Sequence, residues 1–196
     1  MITLVDYRAG NLASVRKAFE HLGCETVITE DPDVVRCAHH VVVPGVGHFA
    51  ATDQLTRAGL RDAVSEAIQQ GANFLGICVG MQWMFRDSTE APGIFGLGLI
   101  EGTVERFPAG AKVPHVGWNT LEGRGQSRIL RDVPSPSFVY YTHSYRAPLV
   151  AETVGVTEYG SSFSGVVEKD NVFGVQFHPE KSGPAGLKIL ENFAKL

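Results

Sequence analysis

Hydrophobic positions in the first part of the chain alternate between short continuous runs and helical spacing. Short runs of apolar and β-branched residues at Ile2–Val5, Thr26–Thr29 and 41–43 predict strands, the last of them buried on both faces. Between the first two runs, apolar residues recur three and four positions apart over 12–22, which predicts a helix that Gly23 ends. This alternation of strands and helices is typical of a parallel sheet.

The pattern changes in the second half. Helical spacing continues from His48 to about Gln70, and an apolar run at 74–77 predicts a central strand that leads into a helix carrying residues 81–85. Beyond it, Gly and Pro turns separate short predicted strands at 101–107, 115–119, 138–142, 154–157, 164–167 and 172–177, and a final helix covers 185–195. We therefore predict an α/β fold in one domain, 1–196. Its core is a doubly wound, mostly parallel, flavodoxin-like sheet with antiparallel strands added in the second half.

Composition narrows the class of protein. A formal net charge of −4 argues against a general nucleic-acid binder. The three cysteines are an odd number without a pairing motif, and no basic segment precedes an apolar signal core, so we expect a reducing cytoplasm. The longest nearly apolar run, 74–85, is too short to cross a bilayer. We predict no metal site, because the adjacent His39 and His40 would point to opposite faces of a strand.

One cysteine stands where a buried strand would turn sharply into a helix. Gly76 and Gly80 flank Cys78 at two positions on either side, which is the spacing of a nucleophile elbow. Small residues are needed there because a Cβ would crowd the strained turn. The alternative is a buried structural cysteine in a Gly-containing strand.

A histidine and a carboxylate follow about a hundred residues later, in F-H-P-E at 177–180. We expect Pro179 to keep this segment extended, so that His178 and Glu180 project to the same side. With Cys78 they would supply a nucleophile, its base and the group that orients the base.

The loop after the third predicted strand reads P-G-V-G at 44–47. Ligands of open α/β sheets bind at the carboxyl ends of the strands. The amide of Val46 or Gly47 could therefore donate to a developing oxyanion, with Val79, which follows the cysteine, as a further candidate. The alternative is an ordinary turn.

Several stretches resemble a known family. G-I-C-V-G-M-Q at 76–82 and F-H-P-E resemble the class I glutamine amidotransferases, which split glutamine into glutamate and ammonia. P-G-V-G-H-F at 44–49, V-P-H-V-G-W-N at 113–119 and H-S-Y-R at 143–146 resemble, within that class, the glutaminase subunit of imidazole glycerol phosphate synthase. The match covers essentially the whole chain. It implies that Cys78 is the nucleophile, His178 the general acid and base, and Glu180 the group that fixes the imidazole.

The resemblance also implies a substrate and a partner, and no cofactor. It assigns glutamine binding to Gly47, Gln82, Glu90, Ser144 and Tyr145. The ammonia would pass to a (β/α)8-barrel cyclase that makes imidazole glycerol phosphate and aminoimidazole carboxamide ribotide in histidine biosynthesis. The interface or gate in that heterodimer would include Asn11, Trp118, Asn119, Tyr140 and Lys181.

Two residues depart from the family pattern, and two other functions stay open. Arg8 stands where a glycine is common, and Val79 replaces the commoner leucine. The alternative functions are the glutaminase subunit of pyridoxal phosphate synthase and a non-catalytic cysteine redox sensor on a similar fold.

Overall fold

The main sheet has a parallel half and an antiparallel half. The computed structural model describes all 196 residues. Its strands are β1 (Ile2–Val5), β2 (Thr26–Thr29), β3 (His40–Gly45), β4 (Asn73–Cys78), β5 (Phe85–Ser88), β6 (Ile100–Arg106), β7 (His115–Gly123), β8 (Ser137–His143), β9 (Tyr145–Arg146), β10 (Thr153–Glu158), β11 (Ser162–Lys169) and β12 (Val172–Val175). The order in the nine-stranded sheet is β2-β1-β3-β4-β12-β11-β10-β7-β8. Pairing is parallel from β2 to β12 and antiparallel from there to β8.

Helices cover both faces of the parallel half. They are α1 (Leu12–His21), α2 (Pro32–Arg36), α3 (Asp53–Arg57), α4 (Leu60–Gln69), α5 (Val79–Gln82) and α6 (Gly183–Ala194). Phe19 of α1 and Phe193 of α6 belong to an apolar cluster on one face. Val35 of α2 and Val64 of α4 belong to a second cluster on the other. The predicted doubly wound sheet with added antiparallel strands is thus confirmed. The single domain stays a prediction, supported by the packing of both clusters on one sheet.

Tertiary contacts shortened the predicted helix after Cys78. The helix after Cys78 is only one turn long, and Phe85 begins a strand of a small second sheet, β5-β6-β9. The amides of Leu97 and Leu99 donate to the carbonyls of Trp83 and Met84, so these carbonyls pair with a distant segment. The helical stretch after His48 forms a 3₁₀ turn, Phe49–Thr52, followed by α3 and α4. No helix is both long and apolar enough to span a membrane.

Candidate active site

The turn that carries Cys78 is sharp and strained. Cys78 ends β4 and precedes α5, with φ 55° and ψ −106°. Positive φ is costly for a residue with a side chain and is concentrated at functional sites. A Cβ on Gly80 would overlap the carbonyl oxygen of Val43, and one on Gly76 would overlap the Gly80 carbonyl. Close backbone contacts therefore leave no room for a side chain at either position, which is why small residues are needed on both sides of the cysteine.

His178 and Glu180 reach the cysteine because β12 lies beside β4. The two strands run parallel, with Val175 opposite Ile77, so their carboxyl ends meet. Nδ1 of His178 lies 3.0 Å from Oε1 of Glu180, and both side chains are buried. The predicted extended segment was wrong, since Pro179–Lys181 forms a 3₁₀ turn. His178 itself is extended, and the turn brings the carboxylate back onto the imidazole.

The charge state of His178 follows from its neighbours. Burial lowers its pKa, but Cys78 and Glu180 raise the pKa by more, to about 10. Nε2 of His178 and Oε2 of Glu180 are buried and have no hydrogen-bond partner. The imidazole of His178 is therefore protonated near neutral pH, and its unpartnered Nε2 carries a proton that it can give.

A cavity of about 400 Å³ opens beside the sulfur. Ligand pockets of drug size start at about 300 Å³, so this volume suits a small molecule such as an amino acid. Its lining includes all five predicted glutamine-binding residues, among them Gly47, which is also a predicted oxyanion residue, and two further predicted catalytic or oxyanion residues: Gly47, Gln82, Glu90, Ser144, Tyr145, Cys78 and Val79. The sequence analysis missed four other lining residues, His48, Pro114, Thr142 and His143. A larger cavity of about 610 Å³ next to Arg128 and Glu168 contains none of the predicted site residues.

Two of the lining side chains are already held in place. The amide Nε2 of Gln82 donates to the carbonyl of Tyr145 at 2.9 Å and to Oε1 of Gln176 at 3.2 Å. Oε2 of Glu90 accepts from the Phe49 amide at 2.8 Å. These contacts fix the two side chains before a ligand arrives.

Only one of the two loop residues predicted to bind the oxyanion lines the cavity. Gly47 lines it with φ 95°, whereas Val46 does not and is 38% exposed. Neither amide donates a hydrogen bond within the chain. Val79 is the first residue of α5, so its N–H has no partner within that helix. The oxyanion role of these residues stays a prediction.

A buried pair of histidines adjoins the cavity. His115 and His143 lie with Nδ1 and Nε2 3.1 Å apart, and Nδ1 of His143 is 2.8 Å from the Tyr145 carbonyl. Burial lowers the pKa of His115 to about 4 and that of His143 to about 3. Both rings are therefore neutral, with His143 donating to Tyr145 through Nδ1 and His115 donating to His143 through Nδ1. The only sequence feature that pointed to these two histidines was their position in the motifs H-V-G-W-N and H-S-Y-R.

Three of the predicted interface residues share one exposed face of the β7–β8 hairpin. Trp118 and Tyr140 are paired in register with ring centroids 6.0 Å apart, and Nζ of Lys181 lies 5.8 Å from the Tyr140 ring. Val116 and Phe138 lie on the same face by strand alternation. We call the four hairpin residues, Val116, Trp118, Phe138 and Tyr140, the apolar face. Trp118 is 57% and Phe138 65% exposed.

The other two predicted interface residues lie elsewhere. Asn119 points to the opposite face of β7, where its Nδ2 donates to the Glu158 carbonyl at 2.9 Å. Asn11 immediately precedes α1 and makes no capping hydrogen bond. Arg8, in the same loop, has φ 64° and pairs with Glu30 at the surface. A glycine adopts this φ freely, which explains why glycine suits the position.

A strained cysteine with a buried histidine and carboxylate, set at the end of a doubly wound sheet, defines the class of cysteine-dependent enzymes that work through an acyl intermediate. The comparisons with known proteins specify the member of that class. A family model described as glutamine amidotransferase class-I matches residues 3–196. The chain belongs to this family, and within it to the HisH subunits of imidazole glycerol phosphate synthase, as its curated relatives show.

These relatives match over nearly all of their length. An imidazole glycerol phosphate synthase subunit HisH from Chlorobium luteolum is 44% identical, with 100% of both chains covered. A subunit of the same name from Moorella thermoacetica is also 44% identical, with 100% of this chain and 94% of the relative covered. The HisH subunit from Methanothermobacter thermautotrophicus is 43% identical, with 100% and 98% covered.

Solved structures agree on the fold. A crystal structure of a glutamine amidotransferase has a TM-score of 0.77 at 19% identity, covering 99% of this chain and all of the other. A structure of PurLQS from Thermotoga maritima has a TM-score of 0.71 at 18% identity, covering 99% and 97%. At these identities the likeness concerns the fold.

Proposed function

We propose that this chain hydrolyses glutamine to glutamate and ammonia, and supplies the ammonia to the cyclase subunit of imidazole glycerol phosphate synthase in histidine biosynthesis. The observation that carries the proposal is the single cavity that joins the Cys78 sulfur to the polar residues that would hold glutamine. The family of HisH subunits supports the same activity.

The chemistry runs through a thioester. The Cys78 thiolate attacks the side-chain carbonyl carbon of glutamine, and the C–N bond breaks as protonated His178 gives its Nε2 proton to the departing ammonia. Neutral His178 then takes a proton from water, which attacks the thioester and releases glutamate and the thiol. Each such proton transfer typically contributes about 10²- to 10⁴-fold to the rate. Glu180 keeps the imidazole oriented through its contact with Nδ1.

The negative oxygen of each tetrahedral intermediate needs donors. The Val79 N–H at the start of α5 and the Gly47 or Val46 N–H in the loop after β3 are the candidates. Loss of one such donor costs about 10²- to 10³-fold in kcat in other acyl-transfer enzymes.

Glutamine binding uses opposite charges and fixed polar groups. The Glu90 carboxylate would pair with the α-ammonium group of glutamine. Gln82, Ser144 and Tyr145, with the backbone at Gly47, would meet its remaining polar groups from the other walls of the cavity.

We place the partner cyclase on the apolar face. Tyr140 connects this face to the catalytic segment through two hydrogen bonds of its backbone. Its carbonyl accepts from the His178 amide at 2.9 Å, and its amide donates to Ser182 Oγ at 2.9 Å. A partner seated on Trp118 and Tyr140 would therefore lie next to the cavity where ammonia forms. The proposed setting is a reducing cytoplasm, which would keep the Cys78 thiol free, as it is in the structure.

The test is glutamate release from glutamine, measured for three mixtures: the chain alone, the chain with its cyclase subunit, and both with the nucleotide substrate of the cyclase. Cys78→Ala is the blank. We expect the largest rate in the complete mixture. No glutamate release in any mixture would contradict the proposal and favour a redox sensor. Full activity without the cyclase would retain a glutaminase but remove the partner dependence.

A further inference from the structure

The side chain of Gln176 lies against the nucleophile, and nothing in the sequence analysis gave it a role. Gln176 directly follows β12 and is fully buried. Its Nε2 lies 3.7 Å from Sγ of Cys78, within hydrogen-bonding distance for sulfur. Thr142 supplies another polar contact, since its carbonyl oxygen lies 4.0 Å from the same sulfur.

A fixed carbonyl determines which end of the Gln176 amide faces the sulfur. The oxygen and nitrogen of a side-chain amide are told apart by their partners. The Tyr145 carbonyl can only accept, so Gln82 must present its Nε2 there. The second hydrogen of that nitrogen is donated to Gln176, which must therefore present Oε1. The Nε2 of Gln176 is left to face Cys78.

The contacts that Thr142 and Gln176 make with the sulfur favour different protonation states of Cys78. The Thr142 carbonyl can accept only from a protonated thiol. An N–H donor is compatible with both states and is stronger towards an ionised acceptor. The attack on an amide begins from the thiolate. A donor at this position therefore acts on the reactive form of the cysteine.

We propose that Gln176 is a further residue of the nucleophile site, whose side-chain N–H donates to the Cys78 sulfur, holds it in position and stabilises the thiolate. Gln82 has a second role in this arrangement, because its hydrogen bond fixes the orientation of the Gln176 amide. The inference deepens the proposed glutaminase function. The donor itself can be tested without glutamine or a partner.

The test measures alkylation of Cys78 by iodoacetamide from pH 5 to pH 10. The background carries Cys24→Ala and Cys37→Ser, so that Cys78 is the only thiol. The variants are Gln176→Met, which removes the donor at similar length, and Gln176→Glu, which replaces it with an acceptor. We expect Gln176→Met to slow alkylation about tenfold at pH 7, because a hydrogen bond to a charged group is lost. The rate at high pH should stay unchanged, and Gln176→Glu should slow the reaction further at pH 7.

Ser164→Ala is the control, because Ser164 is equally buried on β11 and contacts Thr153 and Pro148 instead of the sulfur. It should keep the midpoint of the parent profile. The proposal would be overturned if Gln176→Met kept the midpoint of the parent profile. It would also be overturned if Gln176→Met slowed alkylation equally at every pH, because that result would indicate a packing effect alone. If Gln176→Met does not fold, the isosteric Gln176→Glu decides by the same criterion. Glutamine is absent from this assay, so failure of the proposed glutaminase function would leave its result standing.

Discussion

Acid should destabilise this protein through the buried histidine pair. His115 is stacked between the rings of Tyr141 and Tyr159, with centroids 4.9 and 3.9 Å away, and His143 is buried behind it. Their pKa values are lowered from 6.5 to about 4 and about 3 because burial opposes the charged forms. Between pH 6.5 and pH 4, these two histidines would therefore be protonated in the unfolded chain but largely neutral in the folded chain.

The size of the effect follows from these values. Each pH unit below 6.5 lowers the free energy of unfolding by about 1.4 kcal/mol per histidine. At pH 5 the loss is therefore about 2 kcal/mol for each ring and about 4 kcal/mol for the pair, a large share of a typical stability of 5–15 kcal/mol. His178 has a raised pKa, so its contribution is fully present below pH 6.5 and is lost only as the pH rises towards about 10. Asp87 and Glu191 have lowered pKa values, so their contributions are lost only at still lower pH.

The assay is urea unfolding of the free chain at half-unit steps from pH 7 to pH 5. The variant is His115→Phe, which keeps a ring between the two tyrosines but cannot titrate. At pH 7 the free energy of unfolding of His115→Phe should be about 1–3 kcal/mol lower than the parent's, because Nε2 of His143 loses its hydrogen-bond donor. Its stability should fall less steeply with acid than the parent's, by about 1.4 kcal/mol per pH unit. Ser164→Ala, which leaves every histidine in place, should keep the parent slope. Equal slopes for the parent and His115→Phe would refute the reasoning.

Three further outcomes follow from the site. Gly80→Ala should lower the free energy of unfolding, measured by thermal unfolding, by at least about 1–3 kcal/mol and abolish glutamine hydrolysis, because its Cβ would overlap a backbone carbonyl. The control Gly123→Ala, whose Cβ has only ordinary contacts, should leave the stability nearly unchanged. Glu180→Gln should lower the pKa of His178, seen by NMR titration, and reduce glutamate release by about 10²- to 10⁴-fold; an unchanged titration would contradict the assigned contact. Glu90→Gln should raise KM for glutamine about tenfold or more with a smaller change in kcat, since a charged pair is lost; an unchanged KM would remove Glu90 from the binding site.

Local patterns predicted most of the strands and the reactive turn. Continuous apolar runs predict the central strands because a parallel sheet buries both of its faces. Gly76 and Gly80 predict the elbow because the close approach of neighbouring backbones excludes a Cβ there. The resemblance to a family supplied the residues that line the cavity with Cys78.

Contacts between distant segments decided what local patterns could not. The helix after Cys78 ends after one turn because residues 97–99 pair with Trp83 and Met84. Pro179 begins a tight turn, which brings the Glu180 carboxylate back onto the ring of His178.

The composition of the nucleophile site divides in the same way. Cys78 and His178 could be named from the sequence because strained turns and His–carboxylate pairs leave short, local motifs. The placement of Gln176 against the sulfur could not, since it depends on β12 lying beside β4 and on Gln82, 94 residues earlier in the chain, orienting its amide. Sequence by itself determined which groups carry the chemistry. Only the tertiary structure determined which other groups lie within hydrogen-bonding distance of them, because strand order and side-chain orientation are set by the packing of the whole sheet.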